Sequence, residues 1–168
     1  SLQSTDAGCT PIEAFIEGEE SVYYFSAFSA RNYSRPIVVV VLPDKIVLIV
    51  PALDEKHARS RTIADELDVY YEVPEKAHIA VSYLDHLDKL LAKLPSGTTI
   101  GTEFSNINLA LVNHVRSYGF ELADIGEKIA AMRMIKDEKE LHALMEAGDL
   151  VNVGVTETLK HARVGISE

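Results

Sequence analysis

The stretch Ile37-Val-Val-Val-Val-Leu-Pro-Asp-Lys-Ile-Val-Leu-Ile-Val50 decides the fold class. Ile37 to Leu42 is a β-branched run closed by a leucine. Branching at Cβ stiffens the side chain, disfavours helix and suits a strand covered on both faces. Pro43-Asp44-Lys45 reads as a turn, and Ile46 to Val50 as a second buried strand. So short a link joins neighbours of opposite direction, which makes the pair an antiparallel hairpin. The apolar region runs on to Leu53, but Pro43, Asp44 and Lys45 break it. A membrane-spanning helix needs about 20 apolar residues without such a break.

Upstream of the hairpin, Glu13-Ala-Phe-Ile-Glu17 alternates polar and apolar and reads as a short strand. Gly18 to Ser21 reads as a turn, Val22 to Phe28 as an aromatic segment with small residues, and Arg31 to Pro36 as a polar loop. Downstream the period changes. Leu53, His57, Ile63, Ala64 and Leu67 mark a loosely amphipathic helix, followed by a short strand over Val69 to Glu72. Ile79, Leu84, Leu87, Leu90, Leu91 and Leu94 form the stripe of a core-facing helix that ends at Pro95-Ser96-Gly97. Thr98 to Gly101 is a predicted strand. Ile107, Leu111, Val115 and Tyr118 mark another helix, stopped by Gly119. Phe120 to Ala123 is a predicted strand, and Asp124 is placed to cap a short helix to Ala131. Helices alternating with strands after an opening hairpin predict an α/β fold, a mixed sheet flanked by helices with parallel pairings beyond the hairpin.

The last segment reads differently. Asp137 and Glu140 have capping-box spacing. Leu141, Leu144, Met145, Gly148, Val151, Val155 and Leu159 then trace one stripe, predicting a long helix from about 138 to about 160, roughly 35 Å in length. Leu141, Leu144 and Met145 are expected to be buried on the sheet domain. Val151, Val155 and Leu159 have no later element to pack on, and Gly165-Ile-Ser-Glu168 reads as the start of an element absent from the chain.

Composition sets the remaining bounds. The 168 residues are 47% hydrophobic and 25% charged, the balance of an ordinary globular domain with a sizeable core. Asp plus Glu total 26 against 16 for Lys plus Arg, a net charge of −10 that repels phosphate backbones, so no nucleic-acid partner is expected. Cys9 is the single cysteine, which rules out an intrachain disulfide, a zinc knuckle and a CxxC redox site; a cytoplasmic setting is the default. The opening Ser-Leu-Gln-Ser-Thr-Asp lacks an initiator Met and lacks the basic and then apolar pattern of a signal peptide. No membrane partner is expected.

Few residues offer chemistry. The six histidines form neither HxxxH nor HExxH, and GxGxxG, GxxxxGK[ST] and GxSxG are all absent. Asp85-His86-Leu87-Asp88 puts two carboxylates and an imidazole on one helical turn. A metal there would need ligands from elsewhere, and a solvated outer face beside Leu84 and Leu87 is the favoured reading. Cys9, in an N-terminus expected to be mobile, is read as an inert thiol. Tyr23, Tyr24, Phe25, Phe28 and Tyr33 are interleaved with Arg31 and Arg35. Arginine pairs with carboxylates in a bidentate fork and aromatics anchor interfaces, so Phe28, Arg31 and Arg35 are the candidates for contact with a substrate or partner. A core edge with two solvated arginines explains the same pattern. No residue is assigned a catalytic or metal-binding role.

Several segments together resemble the creatinase/prolidase/aminopeptidase P family. Val22-Tyr-Tyr-Phe-Ser-Ala-Phe28 resembles the family's Tyr-Leu-Thr-Gly-Phe, and the hairpin after Pro36 matches in place and kind. Ile100-Gly-Thr-Glu103 resembles Ile-Gly-Val-Glu. Met132-Arg-Met-Ile-Lys136 followed by Asp137-Glu-Lys-Glu140 resembles the junction Leu-Arg-x-Ile-Lys-(Ser/Asp)-x-x-Glu, with Ala147 at the small position. Val164-Gly-Ile-Ser-Glu168 resembles Pro-Gly-x-(Ser/Thr)-Glu. The departures are Ala27 in place of glycine, Val164 in place of proline, and a missing or shortened opening helix.

The resemblance covers roughly residues 12 to 168. It implies a flexible N-terminus over 1–12, a ribonuclease-H-like domain over 13–135, and over 136–168 a linker helix with the start of an absent pita-bread catalytic domain. The implied role is that of a non-catalytic N-terminal domain of an Xaa-Pro dipeptidase or aminopeptidase, a metallopeptidase-family hydrolase. Such a domain serves oligomerisation and shapes the active site. The family's two divalent metals (manganese, cobalt or zinc) are held by residues downstream of this chain, so no cofactor is expected here. A homodimer and the protein's own catalytic domain are the implied partners. A creatinase-like amidinohydrolase, which keeps the fold without metals, is the alternative parent, and a free-standing binding module is the alternative role. The ribonuclease-H-like shape carries no nuclease claim, because function belongs to sites.

Overall fold

A computed structural model of the chain describes residues 13–29, 35–72 and 81–166. Its strands are β1 (Glu13–Ile16), β2 (Val38–Val41), β3 (Ile46–Pro51), β4 (Glu66–Tyr70), β5 (Thr99–Thr102) and β6 (Glu121–Asp124). Its helices are α1 (Glu19–Ser26), α2 (Glu55–Arg61), α3 (Tyr83–Leu91), α4 (Leu109–Ser117), α5 (Gly126–Met134) and α6 (Glu138–His161). The chain divides into two units, residues 1–129 and 130–168.

In the first unit, the hairpin forms as its sequence dictates: β2 and β3 pair antiparallel from Val38 against Ile49 to Val41 against Ile46. The sheet order is β4-β3-β2-β1-β5-β6. β1 runs antiparallel to β2 and parallel to β5, and β3–β4 and β5–β6 are parallel. The sheet is thus mixed, with helices on both faces. Strand alternation sends Phe15, Val38, Val40, Val47, Ile49 and Ile100 to one face, where Leu87 and Leu91 of α3 and Leu111 and Val115 of α4 join them in one core cluster. Fully burying such a side chain stabilises by about 1.5–3 kcal/mol. Ala14, Ile16, Val39 and Leu48 are buried on the opposite face, where α1 lies against β2 and β3 and α2 against β3 and β4.

Three expectations are corrected. The turn expected at Gly18 to Ser21 is the start of helix α1. Glu19 and Glu20 occupy its first turn, where the helix dipole favours carboxylates, and Val22 and Phe25 face the core three residues apart. Ala27 ends it in the left-handed conformation, φ 54°, so this turn forms without the glycine that stands at that place in the related motif. The helix expected over 53–67 shrinks to the seven residues of α2. Leu53 and Ile63 are 76% and 69% exposed, and Leu67 lies in β4, paired with Leu48. A parallel partner distant in sequence has overridden the local helical period. β4 therefore begins at Glu66, ahead of the strand expected at Val69 to Glu72.

The other elements fall close to expectation. α3 opens at a Ser82–Asp85 capping box; Ile79, placed on this helix from the sequence, lies outside the described residues. Asp124 Oδ1 accepts from the Gly126 amide at 2.9 Å and so closes the turn into α5.

In the second unit, Asp137 and Glu140 form a reciprocal capping box at the start of α6, with bonds of 2.8 and 2.9 Å. The expected burial of Leu141, Leu144 and Met145 is not found: all three are exposed. The unit holds only the end of α5 and then α6, so it has no second layer of its own to cover the stripe.

Candidate functional site

β1 and β5 are adjacent and parallel. The chain leaves β1 for α1 on one face of the sheet and leaves β5 for α4 on the other. Connections that diverge in this way open a crevice at the carboxyl ends of the strands, the usual ligand position in α/β sheets. One acid stands just past each strand, Glu17 after β1 and Glu103 after β5. They are 6% and 7% exposed.

Glu17 shares the face of Phe15 and reaches α4. Its Oε2 accepts from the Asn108 backbone amide at 2.8 Å, and its Oε1 accepts from the Asn108 side-chain amide. Asn108 is the N-cap of α4: its Oδ1 accepts from the Leu111 amide at 2.9 Å and from the Tyr83 hydroxyl at 3.2 Å. Glu103 reaches the other helix, where its Oε1 accepts from Ser21 Oγ at 3.0 Å in the first turn of α1. Gly18, the N-cap of α1, supplies no side-chain cap of its own. Each acid therefore serves the helix that follows the other strand, and each carboxylate sits where the helix dipole favours it.

The crevice is filled by the chain itself. A Cβ at Gly18 would stand 3.1 Å from Glu103 Oε2 and 3.2 Å from Asn106 Cβ. Glu103 Oε2 is buried and makes no hydrogen bond. Burial pushes the Glu17 carboxyl up to about 7, against the opposing pull of its two bonds from Asn108. Burial likewise raises the Tyr83 phenol. Among the described residues, the two acids serve the starts of the two helices, Glu17 through Asn108 and Glu103 through Ser21.

Two of the three contact candidates, Phe28 and Arg35, fall within the described residues. Phe28 is fully buried, with its ring edge-on to His57 at 5.1 Å between centroids, and as it stands belongs to the core. Arg35 is exposed and paired with Glu72 at 2.6 Å. Arg31 lies outside the described residues, as does Cys9. Nor does Asp85-His86-Leu87-Asp88 form the solvated face expected of it. Asp85 Oδ2 accepts from the Ser82 amide at 2.9 Å. His86 is buried, with Nε2 3.0 Å from the Val69 carbonyl. Its Nδ1 lies 3.1 Å from Asp68 Oδ2, close enough for an ion pair but off the line of a hydrogen bond. Asp88 Oδ1 takes both His114 Nε2 and the Tyr118 hydroxyl at 2.7 Å.

Among the described residues, no three of His, Cys, Asp and Glu converge as a metal cage would require. The two crevice acids point to opposite faces, and His86 and His114 are each committed to an aspartate. The described residues therefore do not fit the pair of divalent metals that the resemblance implies. The sequence reading passed over Glu17, Asn108, Tyr83 and Ser21. The available signal was an acid directly after each of two parallel strands.

The profile of the Creatinase/Prolidase N-terminal domain family matches residues 13–135. The chain belongs to this family. A Bacillus subtilis protein named "Putative dipeptidase YkvY" is 25% identical over 165 residues, covering 92% of this chain and 42% of that protein. The X-Pro aminopeptidase of Thermotoga maritima superposes with a TM-score of 0.75 at 22% identity, over 94% of this creatinase-type chain and 43% of its own. The prolidase of Pyrococcus horikoshii gives 0.70 at 19% identity, over 94% and 40%. These likenesses show the fold. The chain thus spans about two-fifths of the length of these three relatives. Among the described residues, no helix is long and apolar enough to cross a membrane.

Proposed function

We propose that this domain is the non-catalytic N-terminal part of a prolidase-like Xaa-Pro dipeptidase, and that it serves homodimerisation and shapes the active site. The observation that carries the reading is the family match over 13–135 joined to a switch-point crevice that the chain's own acids fill. A domain whose ligand position is occupied by its own helix caps contributes surface and rigidity, and the reaction falls to the rest of the protein. The two divalent metals then belong to the catalytic domain, and the setting is cytoplasmic. Arg35, exposed and paired with Glu72, is the described contact candidate on the surface, and Arg31 stands four positions before it in sequence.

The test uses the complete protein with its catalytic domain. Arg31→Ala with Arg35→Ala is expected to raise KM for an Xaa-Pro dipeptide or to weaken the dimer in sedimentation, with the fold retained. Unchanged KM and unchanged dimerisation would remove the contact role. Creatine hydrolysis without Xaa-Pro cleavage would move the protein to the amidinohydrolase reading.

A further inference from the structure

Among the described strands, β4 is the outermost on its side of the sheet, with β3 as its neighbour. The Tyr70 carbonyl accepts from the Ala52 amide at 2.9 Å, so the backbone groups of Tyr70 face β3. Backbone groups of successive residues point to opposite sides of a strand, and those of Leu67 and Val69 therefore face outward. Outward-facing amides and carbonyls on an edge strand are a template for another chain. At Val69 the protein fills that position itself. His86, buried on α3, places Nε2 3.0 Å from the Val69 carbonyl. A carbonyl only accepts, so Nε2 carries the hydrogen and donates it. Asp68 Oδ2, on the same strand, stands 3.1 Å from Nδ1 on the other side of the ring.

We infer that His86 guards the outer edge of β4 against strand addition by a second copy of this chain. The inference concerns a contact that the domain avoids, and it stands whether or not the peptidase reading holds. A second copy is the natural intruder, because an edge strand turned about a two-fold axis offers its own donors and acceptors back to itself. The charges of β4 then select the register. Pairing about Asp68 would set the two Asp68 carboxylates directly opposite each other, and pairing about Leu67 would set Glu66 of each copy opposite Asp68 of the other. Like charges so placed are destabilising. Pairing about Val69 sets Asp68 against Tyr70 and opposes no like charges within β4. In that register the two Val69 residues would exchange both central hydrogen bonds, and each bond needs a Val69 carbonyl. His86 already occupies that acceptor. A helix laid over the sheet thus reaches past its own face to close the edge at the residue where pairing would be centred.

Sedimentation of the whole chain over a range of concentrations tests the guard. His86→Leu keeps an apolar side chain of similar bulk without a donor, and His86→Gln keeps an amide donor. His86→Leu should lower the dissociation constant for self-association by about 10–100-fold, the net worth of two hydrogen bonds, while His86→Gln stays close to the unsubstituted chain. Amide exchange then locates the contact: the Val69 amide should slow with rising concentration in His86→Leu. It should not do so in Leu91→Ala, a core variant weakened away from the edge. In the unsubstituted chain, the proton on His86 Nε2 should exchange slowly enough to be seen in a nitrogen-15 spectrum, a result that does not depend on the folding of any variant. Unchanged association in a folded His86→Leu, association without protection of Val69, or an Nε2 proton lost to solvent would each overturn the inference. Association of His86→Gln equal to that of His86→Leu would overturn it too, because the donor would then be irrelevant.

Discussion

Asn108→Ala is the substitution that most directly measures the crevice. Three interactions end at this side chain: the cap to the Leu111 amide, the bond from the Tyr83 hydroxyl, and the donation to Glu17. Loss of an N-cap costs about 1 kcal/mol, within a range of roughly 0.5–2. Tyr83 is buried, so stranding its hydroxyl adds about 1–3 kcal/mol if no water replaces the partner. The Glu17 term is smaller, because the Asn108 backbone amide still donates to it. The sum is a loss of about 2–4 kcal/mol. That is a large part of the roughly 5–15 kcal/mol by which domains are stable. Urea unfolding followed by circular dichroism should show a lower midpoint with an unchanged slope, the sign of lost stability without a change in the surface exposed. Asn108→Ser separates the terms: it keeps a cap for Leu111 but loses the amide, and should recover about 1 kcal/mol. If Asn108→Ala stays within about 0.5 kcal/mol of the parent, as ordinary surface substitutions do, Asn108 is not a hub and the crossed-cap account fails.

Four further outcomes are expected. Ala27→Gly should stabilise by about 0.5 kcal/mol in thermal melts, because alanine at φ 54° bears a left-handed penalty of about 1–2 kcal/mol that exceeds the entropy glycine adds to the unfolded chain. Gly18→Ala should destabilise by about 1–2 kcal/mol, since its Cβ would press on Glu103 and Asn106; a neutral result would show that the crevice has room. The His86 ring beside it holds the Asp68 carboxyl below the ordinary 3.8 despite the opposing effect of burial. That stability is present above 3.8 and lost as pH falls, so the deficit of His86→Ala in urea midpoints should narrow in acid. Finally, the purified chain should not hydrolyse Xaa-Pro dipeptides or creatine with added manganese, since no cage of ligands forms among its described residues. Turnover that follows the protein through repurification would refute this.

The elements most legible in the sequence were those with a strong local cause. The β-branched hairpin needs no distant partner to be read, and it pairs from Val38 against Ile49 to Val41 against Ile46. The Asp137–Glu140 box marks the start of the long helix within a single turn. Elements set by distant partners were misread. Leu67 fits a helical period with Ile63 and Leu53, yet β3 claims it for the sheet. The Tyr-Tyr-Phe of α1 has weak helix propensity, and this eight-residue helix is held by tertiary bonds: Ser21 to Glu103, and the Ile63 amide to the Ser26 carbonyl.

The candidate site was the least legible part, because its logic is topological. Glu17 and Glu103 are 86 positions apart in the chain and carry no motif that joins them. What brings them together is the parallel register of β1 on β5, which sets Ala14 opposite Gly101. What then keeps them apart is the alternation of side chains along a strand. A shift of the register by one residue would turn every side chain of β5 over. Glu103 would then face the side of Glu17, two buried carboxylates would share one pocket, and Ser21 would lose its acceptor. Such a pair would carry a large burial penalty, so the two acids act against misregister as well as for the native caps. Register is specified most strongly where a strand's faces differ, and in β5 the contrast comes from small Gly101 and apolar Ile100 followed by this single acid. Glu103→Gln should therefore lower stability and, if the acid guards the register, also slow refolding after stopped-flow dilution from urea. A loss of stability seen only as faster unfolding would leave Glu103 as a cap that forms late, with no part in choosing the register.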